Sequence, residues 1–310
     1  LFPFETGPAD RGILNREKAA IPDFDQQVQD SQKRWEDRLG FRLTRRHERV
    51  KDAAAFEVLN ANTHFRVFDL QNPFGESRTS YFHKSVGGYH AAKLMRIQEF
   101  IDKVLYEERA SIIRSLQSGK FNLNESMAPG LAMLNTKYIV IPGSEQPLQF
   151  RGALGSAWFV EEVKWADSAD EELSGVLELN PARTAIVHRE FADALGTPAS
   201  PGTSNVNLVK YHPEGSTYEV NSAKGGLLCL SEIYYPLGWK AMIDGEKELP
   251  IVRANGLLMA VKIPSGSHTL EMHFEPEGWG MSKGLSHAGS LLWVLLIGIC
   301  TWKHRRESMR

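Results

Sequence analysis

Apolar and polar positions change their spacing several times along this chain. Phe65-Arg66-Val67-Phe68-Asp69-Leu70 alternates, as a half-buried strand does. A loop follows at Gln71-Asn72-Pro73-Phe74-Gly75. Between residues 91 and 105 the spacing becomes helical, with Leu94, Ile97, Phe100, Ile101, Val104 and Leu105 on one stripe. Lys137-Tyr138-Ile139-Val140-Ile141 predicts a strand stopped by Pro142-Gly143. Residues 158–165 read as one further strand, 169–177 as a helix opened by Ser168, and Thr184-Ala185-Ile186-Val187 as another strand. Strands that alternate with helices predict a mixed α/β domain over residues 55–195.

Residues 196–204 (GTPASPGTS) are rich in Gly, Pro, Ser and Thr and read as a linker, with a domain boundary there. Beyond it, short apolar runs at 206–211, 217–221, 227–233, 240–243, 248–252, 257–263 and 268–274 are separated by turn residues. Asp244-Gly245 is a strong hairpin signal, because a type I′ turn needs positive φ. This spacing predicts an antiparallel β-sandwich of jelly-roll or immunoglobulin-like type over residues 205–276. The fold class is therefore α+β. Residues 1–54 are polar, broken early by Pro3, Pro8 and Pro22, and read as an approach segment with one short helix at 30–39.

Near the end of the chain, residues 285–302 (LSHAGSLLWVLLIGICTW) contain no Asp, Glu, Lys or Arg. As a helix they span about 27 Å, close to the ~30 Å of a hydrocarbon core. Seven aliphatic side chains at about 0.5 kcal/mol each favour insertion by roughly 3.5 kcal/mol. The stretch predicts a C-terminal transmembrane helix, with Trp302 at one interface. The alternative is a buried core helix before a basic tail. Lys303, His304, Arg305, Arg306 and Arg310 follow, and flanking cations stay cytoplasmic. The C-terminal tail, 303–310, is then cytoplasmic and the bulk of the chain extracytoplasmic. An exported body needs a signal, and the Leu1-Phe2-Pro3-Phe4 start supplies none, so an upstream transmembrane region is expected.

Composition narrows the function. A net charge of -2 over 310 residues, without a basic domain, argues against nucleic acid as a partner. The basic run from Arg42 to Lys51 reads as a solvated helix face. Cys229 and Cys300 are poorly placed to pair. The phosphate loop, dinucleotide fingerprint, CxxC, HExxH and GxSxG patterns do not occur. No catalytic residue, metal ligand or cofactor site is assigned within this segment.

Two stretches carry candidate binding residues. Gly87-Gly88 leads into Tyr89, His90, Lys93 and Arg96, which are placed near a helix start, where free N–H groups favour an anionic headgroup. The same glycines also suit a simple turn into a helix. Tyr235 and Trp239, in Tyr234-Tyr235-Pro236-Leu237-Gly238-Trp239, form either a platform for sugar rings or part of the sandwich core.

Several of these stretches resemble the YfhO family of bacterial membrane proteins. They are Asn72-Pro73-Phe74, Ser80 through His90 (SYFHKSVGGYH), Met133 through Ile139 (MLNTKYI) and Ala153 through Val160 (ALGSAWFV). Further on come Ser231 through Gly245 (SEIYYPLGWKAMIDG), Arg253-Ala254-Asn255, Pro264 through Thr269 and Phe274-Glu275-Pro276. The resemblance implies a multi-pass protein of the bacterial cytoplasmic membrane, related to GT-C glycosyltransferases. Such proteins take a sugar from a polyprenyl-phosphate carrier and attach it to an envelope polymer or lipid. Membrane lipid and an envelope glycan or lipid-linked sugar are then the implied partners. The catalytic carboxylate of that class lies in an early outward loop, so none is carried over here. A non-catalytic envelope-binding or glycan-binding scaffold is the alternative.

Overall fold

The computed structural model describes residues 64–119, 126–144, 147–276 and 278–308. The expected approach segment, with its short helix at 30–39, lies outside them. The first layer is small. β1 (Arg66–Asp69) runs parallel to β2 (Thr136–Val140), which pairs antiparallel with β3 (Leu148–Gln149). Alternation decides the two faces. Val67, Tyr138 and Val140 pack on one side, and Phe68 and Ile139 join the main core on the other.

Helices cover this sheet. α1 (Arg78–Phe82) is a single turn. α2 (Met95–Phe100) continues through a π-helical turn, Ile101–Leu105, into α3 (Tyr106–Ser118). The predicted helix at 91–105 thus begins later and runs further. Leu94 is extended (ψ 136°), which delays the start, while Glu108 and Ile112 prolong the buried face. Gly119 (φ 68°) ends the rod. α4 (Pro129–Met133) starts on a proline, is buried throughout, and sits over the Glu108 carboxylate.

The rest of the described chain is a two-sheet sandwich. The six-stranded sheet contains β4 (Ala157–Val160), β5 (Glu162–Ala166), β6 (Thr184–His188), β9 (Gly226–Ile233), β12 (Ile251–Ala254) and β13 (Leu258–Ile263), in the order β4-β9-β13-β12-β6-β5. The five-stranded sheet contains β7 (Ser204–His212), β8 (Gly215–Ser222), β10 (Trp239–Ile243), β11 (Lys247–Leu249) and β14 (Gly266–Phe274), in the order β11-β10-β14-β8-β7. Tyr218, Val220, Leu270 and Met272 of the second sheet meet Leu228, Leu230, Met259 and Val261 of the first. Asp244 (φ 54°) and Gly245 (φ 70°) make the predicted hairpin turn between β10 and β11.

Two features differ from the sequence expectation. The run at 158–165 is not one strand. It breaks at Glu161, whose N–H bonds the Arg183 carbonyl, into β4 and β5. These strands form opposite edges of one sheet, yet only one residue separates them. Two residues reach at most about 7 Å, whereas six flat strands are about 24 Å across. The sheet therefore curls until its edges approach. The second difference concerns residues 196–204. Strands from both sides of this stretch share the six-stranded sheet, so it connects parts of one sandwich. Such pairing leaves no mark on local composition. α5 (Ala169–Gly175), capped by Ser168 as predicted, and the short α6 (Ala192–Leu195) fill the crossovers beside β6.

α7 (Trp279–Ser308) follows β14 directly. Among the described residues no helix is long and apolar enough to cross a membrane. The predicted span, residues 285–302, falls within α7.

Candidate functional site

The segment Ser231 to Trp239 runs out of β9 and into β10, and three clusters are built along it. The first welds the small sheet to the sandwich. Arg66, on β1, donates to the carbonyls of Leu134 (3.0 Å) and Ser231 (2.7 Å) and to Glu232 Oε2 (3.3 Å). His64 Nε2 lies 3.6 Å from the other Glu232 oxygen, and its ring stacks on Tyr211 at 4.0 Å. Lys84 Nζ sits 3.5 Å from the centre of that same tyrosine ring. Burial, reinforced by Arg66 and Lys84, pulls His64 down to about 3, so the imidazole is neutral. Burial also lowers Lys84 to about 8 and raises the Glu232 carboxyl. His64 Nδ1, Ser231 Oγ and Thr136 Oγ1 are buried without a hydrogen-bond partner.

The second cluster surrounds Tyr234. Arg96, at the start of α2, donates to the Tyr234 carbonyl at 3.3 Å and lies over its ring at 5.6 Å. Tyr234 meets Phe191 edge-on, and Arg253 lies over the other aromatic ring of that pair. Arg253 in turn grips the fully buried Glu172 through Nε (3.1 Å) and Nη2 (2.8 Å) and reaches Glu190 at 3.3 Å. Glu172 also accepts from the Gly256 N–H. Burial and the neighbouring Arg253 cation hold Arg96 below the usual guanidinium range. The adjacent Asn255 takes a left-handed turn (φ 53°) and exchanges two bonds with the Ile186 backbone. Much of the Arg253-Ala254-Asn255 motif thus positions strands.

The third cluster grips the path to α7. Tyr235 and Trp239 both pack against Phe274, at ring distances of 6.4 and 5.2 Å. The Gly238 carbonyl accepts from Glu275 N–H at 2.6 Å. A side chain at Gly238 (φ 96°) would come within about 3.0 Å of Phe274 and Pro276. Trp239 is half-buried in the inter-sheet core, whereas Tyr235 and Leu237 are exposed.

The other predicted residues fall as follows. Lys93 bonds Gln98 at 3.2 Å, and His90 Nδ1 accepts from the Ala92 N–H. Tyr89 and His90 precede α2 by several residues instead of standing at its start, because residues 87–94 form an extended loop. The glycines before them have a structural reason. A Cβ at Gly87 would overlap the Pro73 carbonyl, and Gly88 N–H bonds that same oxygen at 2.6 Å. Of the six residues, Arg96, Tyr235 and Trp239 are brought to one loop; among the described contacts Tyr89, His90 and Lys93 do not reach it. His64, Lys84, Tyr211 and Glu232 carry no periodic signal and were not legible as a cluster, although Lys84 and Glu232 lie in the motifs quoted above.

A concave polar face lies elsewhere, on the outside of the five-stranded sheet. About 560 Å³ is bounded by Asn205, Asn207, Glu219, Asn221, Asp244 and Thr269, among others. Asn221 donates to Ser267 across the strands, and Asp244 is bonded by His268 and by the Thr269 N–H. Those bonds hold the Asp244 carboxyl below its usual value and the His268 imidazole above its own. Among the described residues no three His, Cys, Asp or Glu side chains are grouped to hold a metal ion.

Comparison with known proteins places part of this architecture. The family model described as bacterial membrane protein YfhO matches residues 200–286, which covers the sandwich from β7 to the beginning of α7. No curated protein and no solved structure matches the chain.

Proposed function

We propose, from the match of residues 200–286 to the family model described as bacterial membrane protein YfhO, that this chain is the extracytoplasmic region of a multi-pass, polyprenyl-phosphate-sugar-dependent glycosyltransferase. The sandwich orients an envelope acceptor or covers a membrane-embedded site, and α7 anchors it in the lipid with the C-terminus cytoplasmic. One observation carries the membrane half of this reading. Met281, Leu285 and every aliphatic side chain from Leu291 to Ile297 stand 47–80 % exposed. A contiguous apolar surface of that kind calls for a cover, and lipid supplies it.

The test is labelling of intact cells that express the protein with Asp244→Cys, using a membrane-impermeant maleimide. Labelling before lysis is expected. Protection until lysis would overturn the orientation. In vitro, this chain supplied with a polyprenyl-phosphate sugar is expected to transfer nothing by itself, and turnover by it would overturn the accessory role.

The concave polar face favours a second reading, a glycan-binding scaffold. Short amide, hydroxyl and carboxylate groups on rigid strands match sugar hydroxyls without large loss of side-chain freedom. Binding of envelope oligosaccharides that is lost in Asn207→Ala and Glu219→Ala would favour it over the accessory reading.

A further inference from the structure

We infer that residues 235–238 form a second lipid contact, a loop that rests on the membrane interface beside the root of α7. This inference relies on the membrane reading of α7 given above. The loop and the root are physically continuous. Gly238 packs against Phe274 and Pro276, where a Cβ would come within about 3.0 Å of both, and its carbonyl is bonded to Glu275 N–H. α7 begins immediately afterwards, with Ser282 N–H bonded to the Gly278 carbonyl. Three residues of chain cover at most about 10 Å, so Pro276, against which Gly238 packs, lies within that reach of the helix start.

The exposed chemistry of the loop fits an interface. Leu237 is 60 % exposed and Tyr235 38 % exposed, while the Trp239 and Tyr235 rings are steadied by Phe274. Cations stand close by. Arg96 is tied to the Tyr234 carbonyl, and Lys240 pairs with Glu275 at 3.1 Å. Amphipathic aromatics with flanking Lys and Arg are what the headgroup region retains, since one end of each side chain is apolar and the other wet. An exposed leucine in a loop bonded to the segment that leads into the anchor gains by entering that region. Two attachment points, one helical and one a loop, would also fix the tilt of the sandwich over the bilayer. A single helix leaves it free to swing.

Depth-resolved fluorescence quenching tests this. The chain carrying Cys300→Ser is given one new thiol at a time, by Leu237→Cys, Asn207→Cys or Leu295→Cys. Each is labelled with an environment-sensitive dye and reconstituted in vesicles of phosphatidylethanolamine and phosphatidylglycerol. Cys229 is buried and its thiol is pushed up to about 12, so it does not compete for the label. Nitroxide lipids labelled at the headgroup are expected to quench position 237, those labelled deep in the acyl chain to quench 295, and neither to quench 207. Quenching at 295 with 237 behaving like 207 would overturn the loop contact and leave the anchor standing. Absence of quenching at 295 would overturn the anchor, and the loop contact with it.

Discussion

The two sheets of the sandwich are similar in extent but bury different numbers of faces. In the five-stranded sheet, β8 alternates between buried and exposed positions, because one side meets the other sheet and the other meets water. In the six-stranded sheet, β9 and β13 are buried almost without interruption. Leu228 on β9 points into the inter-sheet core, while its neighbour Leu227 points into the core shared with the helices and the small sheet. The five-stranded sheet therefore tolerates polar residues on one face and has room there for a concave binding surface. The central strands β9 and β13 of the six-stranded sheet have no free face, and Arg253 on the neighbouring β12 is held by the buried Glu172 of α5.

The largest break in this comparison is expected from that buried pair. Glu172→Ala should cost about 3–5 kcal/mol, because the largely buried Arg253 would keep only the half-exposed Glu190 as a partner and the Gly256 N–H would lose its acceptor. Urea unfolding of the chain followed by circular dichroism checks it. A loss no larger than that of an ordinary surface change would mean the pair is solvated.

Next come the adjacent leucines. Leu227→Ala and Leu228→Ala should each cost about 2–5 kcal/mol, since both faces of β9 are core. If one proved nearly neutral, the two-faced burial of this sheet would be wrong on that side.

A change of slope with pH is expected at Glu108, in the helical layer on the six-stranded side. Burial raises this carboxyl to about 8 against the pull of the Gly130 and Leu131 N–H groups. Its folded-state value lies above the unfolded one of about 4.5, so the protonated form is favoured by folding. That stability is fully present below pH 4.5 and is lost as the pH rises through about 8. Glu108→Gln should flatten the decline of the urea midpoint across this window. His64 acts with the opposite sign. Its stability is present above about 6.5 and is lost as the pH falls towards about 3.

The smallest effect belongs to the open face of the five-stranded sheet. Glu219→Ala should change stability by no more than about 0.5 kcal/mol, in contrast to its neighbour Tyr218, which is buried between the sheets. Thermal unfolding of the variant measures this directly. A large loss would show that the concave face has a structural duty.

Much of the local structure could be read from the sequence. The strand positions of β1 and β8, the Ser168 cap of α5, the Asp244-Gly245 hairpin and the helical spacing before Leu105 all follow from short-range chemistry, although β1 is buried on both faces and not half-buried as its alternation suggested. In each, a residue's environment is set by neighbours a few positions away. The loop that holds Tyr235 and Trp239 stood out for the same reason, as a cluster of aromatics around Pro and Gly. The tertiary structure alone decided the partners. It put β4 and β5 on opposite edges of a curled sheet, joined β6 to β12 through one register position, and brought Arg66 to Glu232 across 166 residues of chain. Backbone pairing of strands looks the same whichever strand is the partner, and a buried ion pair carries no periodicity. Such contacts depend on the closure of long loops and the filling of a shared core, and those are properties of the whole fold.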